Sequence, residues 1–462
     1  MTRHRLRATP LACVPDEYWR NARSLMPAAN ATTIACRGHH HGDERAELFR
    51  VLQDVKCERD SATKVLSVRM PVFGGWWAVT HALIKPLMHA MLEQRTLVSP
   101  MLPLWSDEAS CPSRTLACFF EPLSPCDASL GTPFALHKNR NGRDVEFLSV
   151  TTAWAQSLSQ AEQARKGTVH KRGWFWQVAT LSSYIMRPAP SLSARFRAAL
   201  NSTGLGAALA RPWPVLGLHV RQGDACSSRE RARTARTCDP LSEYMPAIRR
   251  LSSSLPGAHL PAVPGGPVAG GGVRTIFLAT DSEEVLSQTA DYPEYEWLTF
   301  KASFDYTRAV NPSNKKWDHV LKTLKEAGSS SSSSASSSLM SATGEDGTSA
   351  SATAAGAAAN GDPPLGLGGG ADPEEDGGGV VRSGGATNME LAMLTSIDVM
   401  LLAQCDLFVG KMTSNLFRAA YELHSGQCDC AAPFESLDSP WCFDWGVRAG
   451  GGGTGSNATF DC

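Results

Sequence analysis

The sequence predicts an α/β protein, because apolar strand segments alternate with short turns and helical patterns along most of the chain. An apolar stretch at residues 65–73 precedes a glycine pair and a helical pattern, and buried-strand runs at residues 215–220 and 275–280 are followed in the same way. A further strand, turn and helix begin at Asp406. This order is typical of parallel sheets with crossover helices. At 462 residues the chain has room for two such domains.

The charge balance excludes a polyanion-binding protein. Lysine and arginine total 44 against 45 aspartates and glutamates, which gives a formal net charge of −1. No global field therefore attracts nucleic acid or an anionic membrane, and any bound anion must be held by local groups. We expect no nucleic-acid partner.

The chain divides by composition into a leader, two α/β regions and a tail. We predict a poorly ordered leader at 1–45, an N-terminal α/β domain at 46–206, a second, Rossmann-like domain at 207–445, and a flexible tail at 446–462. The second domain is interrupted at 327–387, where serine, glycine and alanine dominate. Few residues there could offset the entropy of ordering, so we predict a disordered insertion in a surface loop.

In the first domain, the strand at 65–73 leads into Gly74 and Gly75. A helix is predicted to follow through Trp77, Leu83, Leu87 and Leu92, and then a short strand from Arg95. Strand, glycine turn and helix form one of the arrangements that cradle phosphate.

In the second domain, Asp281 to Glu284 form a capping-box pattern after the strand at 275–280. We expect Asp281 to accept a helix N–H and Glu284 to reach back. Two later helices are predicted, one with an apolar face spaced from residue 391 to 401 and one at 415–424. The second is predicted to turn Leu416, Ala420 and Leu423 inward.

Polar side chains follow three of the predicted strands. Arg221 and Asp224 come after the first, Asp281 after the second, and Thr413 and Ser414 after the third. Ligands of open α/β sheets bind beyond the carboxyl ends of the strands. A cation, carboxylates and hydroxyls there predict a diphosphate and sugar site, with the Arg221 fork gripping phosphate.

Each of these residues also has a structural interpretation. Arg221 could pair with Asp224, while Asp281 and Ser414 could cap their own helices. Trp174 and Trp176 could stack on an acceptor sugar, although alternating aromatics of this kind more often pack in a core.

The strand-end segments resemble the three motif regions of the α1,6-fucosyltransferases and the related rhizobial nodulation fucosyltransferases. The resemblance lies in Val215-Leu-Gly-Leu-His-Val-Arg-Gln-Gly-Asp, in Ile276-Phe-Leu-Ala-Thr-Asp, and in Asp398-Val-Met-Leu-Leu-Ala-Gln-Cys-Asp-Leu-Phe-Val with Thr413-Ser414 to Ala420-Tyr-Glu. Upstream, Phe73-Gly-Gly, Gln94-Arg-Thr-Leu and Trp174-Phe-Trp-Gln-Val are also similar.

The resemblance implies a GT-B-like fold of two Rossmann-like domains, GDP-fucose as donor substrate, and an inverting transfer that needs no metal or other cofactor. It implies that Arg221 holds the β-phosphate with the amides of Gly74 and Gly75. His219 and Asp406 would contact guanine, and Asp281 and Ser414 would complete the donor site.

The sequence departs from the family pattern around the phosphate-binding arginine. The family has a second arginine at the position of Gln222 and a lysine at that of Ala225, and its usual base aligns with Arg229. Glu230, one residue further on, and Asp224 are both candidates for the general base, which must lie within hydrogen-bond reach of the acceptor hydroxyl.

The cysteines and glycosylation patterns favour the secretory pathway. Cys226 and Cys238 bracket the loop after Arg221 and suit a bridge that stiffens it, and Asn-X-Thr acceptors occur at Asn30, Asn201 and Asn457. We expect a Golgi enzyme, although the first residues hold no apolar run suited to a signal or anchor.

Two alternatives to a fucosyltransferase of this type are a transferase with another acceptor or GDP-sugar, and a degenerate GDP-sugar-binding or glycan-binding protein. The acceptor, the linkage and the oligomeric state stay open.

Overall fold

The computed structural model describes residues 42–54, 64–69, 75–92, 95–100, 102, 105–106, 108–126, 146–149, 173–211, 213–222, 226, 238–255, 272–303, 384–429, 431–439, 441 and 443. The chain forms two compact units, one of Met1–Lys316 with Gly385–Cys462 and one of Trp317–Gly384. Only Gly384 of the second unit is described, so the fold below is that of the first.

The described helices and strands alternate as the α/β pattern predicts. The helices are α1 (Gly42–Gln53), α2 (Trp76–His81), α3 (Ile84–Leu92), α4 (Trp174–Ile185), α5 (Pro190–Ser202), α6 (Leu205–Leu209), α7 (Leu241–Ser253), α8 (Glu283–Gln288), α9 (Gly384–Leu402) and α10 (Asn415–Cys428). The strands are β1 (Lys64–Arg69), β2 (Arg95–Leu97), β3 (Glu146–Ser149), β4 (Val215–Val220), β5 (Thr275–Thr280), β6 (Glu296–Leu298), β7 (Leu407–Gly410) and β8 (Phe434–Ser436).

The N-terminal strands form a parallel three-stranded sheet in the order β2-β1-β3. After β1, Gly75 stands at the N-cap of α2, and a Cβ at Gly75 would meet nothing within 4 Å. The single helix predicted after the glycine pair is two helices in the structure, separated by a turn at Ala82 and Leu83.

The second sheet has five parallel strands in the order β6-β5-β4-β7-β8. Its central strand β4 is buried along its whole length, as its unbroken apolar sequence predicts. Leu216, Leu218 and Val220 belong to the core that includes apolar side chains of α7 and β5. Since side chains alternate along a strand, Gly217 and His219 face the opposite side of the sheet.

On that opposite side, α10 is packed between the sheet and α4. A Cβ at Gly410 would lie 2.6 Å from the Phe417 ring, and a Cβ at Gly426 would lie 2.1 Å from the carbonyl oxygen of Ala179. Glycine is therefore required at both contacts. The predicted inward face of α10 is only partly right: Leu416 is half-buried because the helix is covered on two sides and directs Phe417 to the sheet.

The α/β class and the parallel strand order are confirmed. Both sheets belong to the same compact unit. The boundary near residue 206, the leader, the tail and the disordered insertion stay predictions. None of the described helices is long and apolar enough to span a bilayer.

Candidate functional site

Three strands of the larger sheet end side by side. Val220 is paired with Thr280, and Leu218 with Val409, so the carboxyl ends of β4, β5 and β7 lie at one border of the sheet. We call this border the carboxyl edge. It brings together the three segments that follow these strands, as the sequence predicted from strand order alone.

The segment after Arg221 is tied to the end of β5. The N–H of Gln222 donates to Asp281 Oδ1 at 2.8 Å, and the Ser282 hydroxyl donates to Gln222 Oε1 at 3.2 Å. The amide Nε2 of Gln222 donates to the Asp239 carbonyl at 2.7 Å. Main chain and side chain of Gln222 are both engaged, so the backbone that presents Arg221 is held on two sides.

The predicted capping box at Asp281 is wrong in its details. Ser282 is the N-cap of α8, and its side chain accepts the Val285 N–H at 3.4 Å. Asp281 instead accepts from Gln222, while Glu284 accepts from the Gln288 amide at 3.5 Å. The carboxylate of Asp281 therefore connects two strand ends rather than closing its own helix.

His219 lies one strand position away from the carboxyl edge and is 5% exposed. Its ring stacks on Phe417 at 6.2 Å between centroids and 19° between planes. Burial, together with the neighbouring Arg221 charge, lowers the pKa of His219 to about 3. The imidazole is consequently neutral at physiological pH and can both donate and accept a hydrogen bond.

Ser414 stands at the N-cap position of α10, after β7. It is 6% exposed, and its hydroxyl has no hydrogen-bond partner among the described residues and makes no capping bond. The capping interpretation of its side chain is therefore not what the structure shows. A buried polar group without a partner is costly, and a helix N-terminus attracts anions, so this position suits an anionic ligand.

The turn that carries Ser414 is fixed by Asp438, which follows β8. The Met412 N–H donates to Asp438 Oδ1 at 3.0 Å, and the Thr413 hydroxyl donates to Asp438 Oδ2. These bonds hold the backbone that leads into Ser414.

Asp406 lies at the other end of the sheet. Its N–H donates to the Val215 carbonyl at 2.9 Å, and its Oδ2 accepts the Val215 N–H at 2.9 Å. Val215 and Val220 are the two ends of β4, and five residues of strand span about 17 Å. The structure therefore does not bring Asp406 together with Arg221, Asp281 and Ser414.

Gly74, Asp224 and Glu230 lie outside the described residues. The disulfide predicted around the loop that holds Glu230 is confirmed, since Cys226 and Cys238 are bonded. A second disulfide joins Cys111 and Cys118.

The two tryptophans of α4 are packing residues in this structure. Trp174 is 4% and Trp176 is 3% exposed. Trp174 meets Phe443 edge to face at 5.6 Å, and Trp176 donates from Nε1 to Asp429 Oδ1 at 2.8 Å. This burial favours the core interpretation over sugar stacking.

The sequence interpretation missed a buried carboxyl in α9. Asp398 is 8% exposed and accepts from the Ser303 hydroxyl, and burial raises its pKa to about 7. Leu394 and Leu401 of the predicted apolar face lie four residues before and three residues after Asp398, and this spacing was a sequence signal of its burial. Among the described residues, no group of three potential metal-ligating side chains is found.

A second buried carboxylate, Glu422 of α10, joins separate parts of the first unit. It is fully buried and accepts from His81 Nε2 at 3.1 Å, Ser182 Oγ at 2.8 Å and Trp441 Nε1 at 3.0 Å. Burial acts to raise the pKa of Glu422, but His81 and Arg418 outweigh it and lower the pKa. Three hydrogen-bond donors thus surround a charged carboxylate, which indicates a structural anchor.

The fold is that of an α/β protein with parallel sheets. At the carboxyl edge, polar groups converge beyond the ends of β4, β5 and β7. No protein-family model matches the chain, and no curated protein does either.

Three solved structures with a similar chain course are two of NodZ and one of POFUT1. NodZ alpha-1,6-fucosyltransferase soaked with GDP-fucose is 13% identical, with a TM-score of 0.35 over 78% of this chain and 93% of that one. NodZ from Bradyrhizobium is 12% identical, with a TM-score of 0.34 over 78% and 93%. POFUT1 in complex with GDP is 11% identical, with a TM-score of 0.33 over 81% and 99%.

Proposed function

We propose that this chain is a fucosyltransferase that moves fucose from GDP-fucose to a glycan or glycoprotein acceptor with inversion, of the α1,6 N-glycan type. The observation that carries the proposal is the buried Ser414 hydroxyl at the start of α10, on the same edge as Arg221, which has no hydrogen-bond partner in the described part of the chain. The motif resemblance of these same segments supplies the identity of the donor.

The donor site is proposed to use the groups at the carboxyl edge. Arg221 binds the β-phosphate through its planar donor fork, which stays charged at any relevant pH. Ser414 and the first N–H groups of α10 complete the anion site. Asp281 acts by holding the Gln222 backbone and thereby the position of Arg221. The amides of Gly74 and Gly75 are proposed to contact the phosphates from the N-terminal sheet.

His219 is proposed to contact the nucleotide base as a neutral imidazole, which its lowered pKa favours. We do not retain Asp406 as a guanine contact, because it lies at the amino end of β4, bonded to Val215.

The proposed reaction is a displacement at the anomeric carbon of fucose. The acceptor oxygen forms a bond to that carbon while the bond from carbon to the β-phosphate oxygen breaks, and GDP leaves with the electron pair. Arg221 stabilises the charge that grows on the departing phosphate, a task for which preorganised cations are effective. A carboxylate takes the acceptor proton, and Asp224 and Glu230 are the two candidates. The proposed site requires no metal.

The proposed location is the Golgi lumen or membrane. The bonded pairs Cys226–Cys238 and Cys111–Cys118 fit an oxidising compartment. Asn201 of the acceptor pattern is exposed near the end of α5, where an enzyme could reach it.

The proposal is tested by measuring GDP released from GDP-fucose by the full chain against a panel of N-glycan and other acceptors. Release that depends on an N-glycan acceptor is expected. Release only with a different acceptor or GDP-sugar would support a related transferase, and binding without any release would support a degenerate binding protein.

The general base is identified by measuring Asp224→Asn and Glu230→Gln separately. If neither lowers transfer while donor binding persists, both assignments are wrong.

A further inference from the structure

Lys411 brings a second positive charge to the carboxyl edge. It directly follows β7. Leu218 is paired with Val409, so Arg221 and Lys411 both come just beyond the paired part of two neighbouring strands. Neighbouring strands are about 4.8 Å apart. The ammonium is 2.5 Å from Asp239 Oδ2, and its side chain is only 15% exposed. Lys411 therefore lies at the edge itself, largely shielded from bulk water.

The partner of Lys411 is part of the network that supports Arg221. Asp239 directly follows Cys238, which is bonded to Cys226. The backbone carbonyl of Asp239 accepts a hydrogen bond from the side-chain amide of Gln222 at 2.7 Å. The Lys411 ammonium and the Gln222 side chain therefore both contact Asp239. Lys411 is thereby linked to the support of Arg221, although it follows a different strand.

Negative charge accumulates near Lys411, and its ammonium offsets part of that charge. Burial raises the pKa of Tyr244 on α7, and the carboxylates of Asp239, Asp438 and Asp281 add to the shift, so three acidic groups lie near that phenol. An incoming diphosphate adds at least two further negative charges. The ammonium of Lys411 adds positive charge against that excess, and with its three donors it can contact Asp239 and a phosphate oxygen together.

We infer that Lys411 is a diphosphate-binding residue, held by Asp239 and supplying the positive charge that residue 222 does not. The inference rests on the proposed function, since a nucleoside diphosphate is the ligand it concerns. It adds a cation from the segment after β7 to a site whose proposed arginine, Arg221, lies after β4.

The test is equilibrium binding of GDP to the full chain and to Lys411→Met, with Lys301→Met as the control at an exposed lysine. Lys411→Met is expected to weaken GDP at least tenfold and to reduce the salt dependence of its affinity, while Lys301→Met changes neither. In the double variant Lys411→Met with Gln222→Arg, a cation returns next to Asp239, and recovery of most of the lost affinity is expected.

A purely structural role for Lys411 predicts a different result. The melting temperature of Lys411→Met would fall, and Gln222→Arg would restore no GDP affinity. Equal GDP affinity in wild type and Lys411→Met, or failed rescue, overturns the role of Lys411 while the proposed function stands. No GDP binding by wild type overturns both.

Discussion

The Gln222 N–H donates to Asp281 Oδ1 at 2.8 Å, which joins the ends of β4 and β5 directly behind Arg221. A carboxylate that was expected to cap its own helix instead fixes the backbone of the proposed phosphate-binding arginine. Through this bond we predict that Asp281 affects donor binding without touching the donor.

Asp281→Ala is expected to weaken GDP-fucose binding and to destabilise the fold by about 1 to 3 kcal/mol, because it leaves the Gln222 N–H without its acceptor. Asp281→Asn keeps an acceptor oxygen and is expected to retain most of the affinity. Calorimetric titration and thermal melts of both variants check this. An Asn variant as impaired as the Ala variant would show that the negative charge itself is required.

Ser414→Ala is expected to weaken GDP-fucose binding by about 0.5 to 1.5 kcal/mol without lowering the melting temperature, because the hydroxyl makes no bond within the described structure. Ser282→Ala is the comparison for stability alone, because its hydroxyl also bonds Gln222 behind Arg221. It removes the cap of α8 and is expected to cost about 1 kcal/mol of stability. If Ser414→Ala lowers stability and leaves GDP-fucose binding unchanged, Ser414 acts as a helix cap and not as a donor contact.

Asp406→Ala is expected to reduce stability by about 1 kcal/mol, since the Val215 N–H loses its side-chain acceptor. The affinity for GDP is expected to stay that of wild type, because Asp406 lies at the opposite end of the sheet. Denaturant unfolding and a GDP titration measure the two effects. A large loss of GDP affinity at unchanged stability would contradict this placement.

Acidification is expected to destabilise the protein partly through His219. Its pKa is about 3 in the fold and near 6.5 when unfolded, so between these values the unfolded state binds the extra proton. The stability from the neutral buried imidazole is therefore complete above pH 6.5 and declines as the pH falls towards 3. His219→Gln does not titrate, and its unfolding free energy is expected to change less than that of wild type between pH 7 and 5. Equal pH dependence in both proteins would show that His219 is not buried as described.

Glu422→Ala is expected to destabilise the fold by about 3 to 5 kcal/mol, because it leaves His81, Ser182 and Trp441 without their buried acceptor. The control is Glu435→Ala, which breaks the more exposed pair with Arg250 and is expected to cost about 1 kcal/mol or less. Urea unfolding compares them. Similar losses in both variants would argue against the anchoring role of Glu422.

The parts of the fold that depend on periodicity were predictable from the sequence. The strands at Val215 and Thr275 and the helix after Ser414 follow from apolar runs and turn residues, and parallel order then places Arg221, Asp281 and Ser414 on one edge. Strand position also argues against Asp406 as a ligand contact, because it precedes β7 instead of following it.

What could not be predicted depends on contacts between distant segments. The bond from Gln222 to Asp281 and the pair of Lys411 with Asp239 join residues 59 and 172 positions apart, and no local pattern specifies them. The burial of Asp398 likewise results from Ser303 and the packing of α9.

The central claim is that the carboxyl edge binds the diphosphate of GDP-fucose through Arg221. Calorimetric titration of GDP-fucose into wild type and Arg221→Ala tests it most directly, with Arg197→Ala as a control at an exposed helix position. We expect one site in wild type and in the control, and a loss of about 2 to 5 kcal/mol in Arg221→Ala, which is roughly 30-fold or more in affinity. No binding by wild type, or equal binding by Arg221→Ala, would contradict the claim.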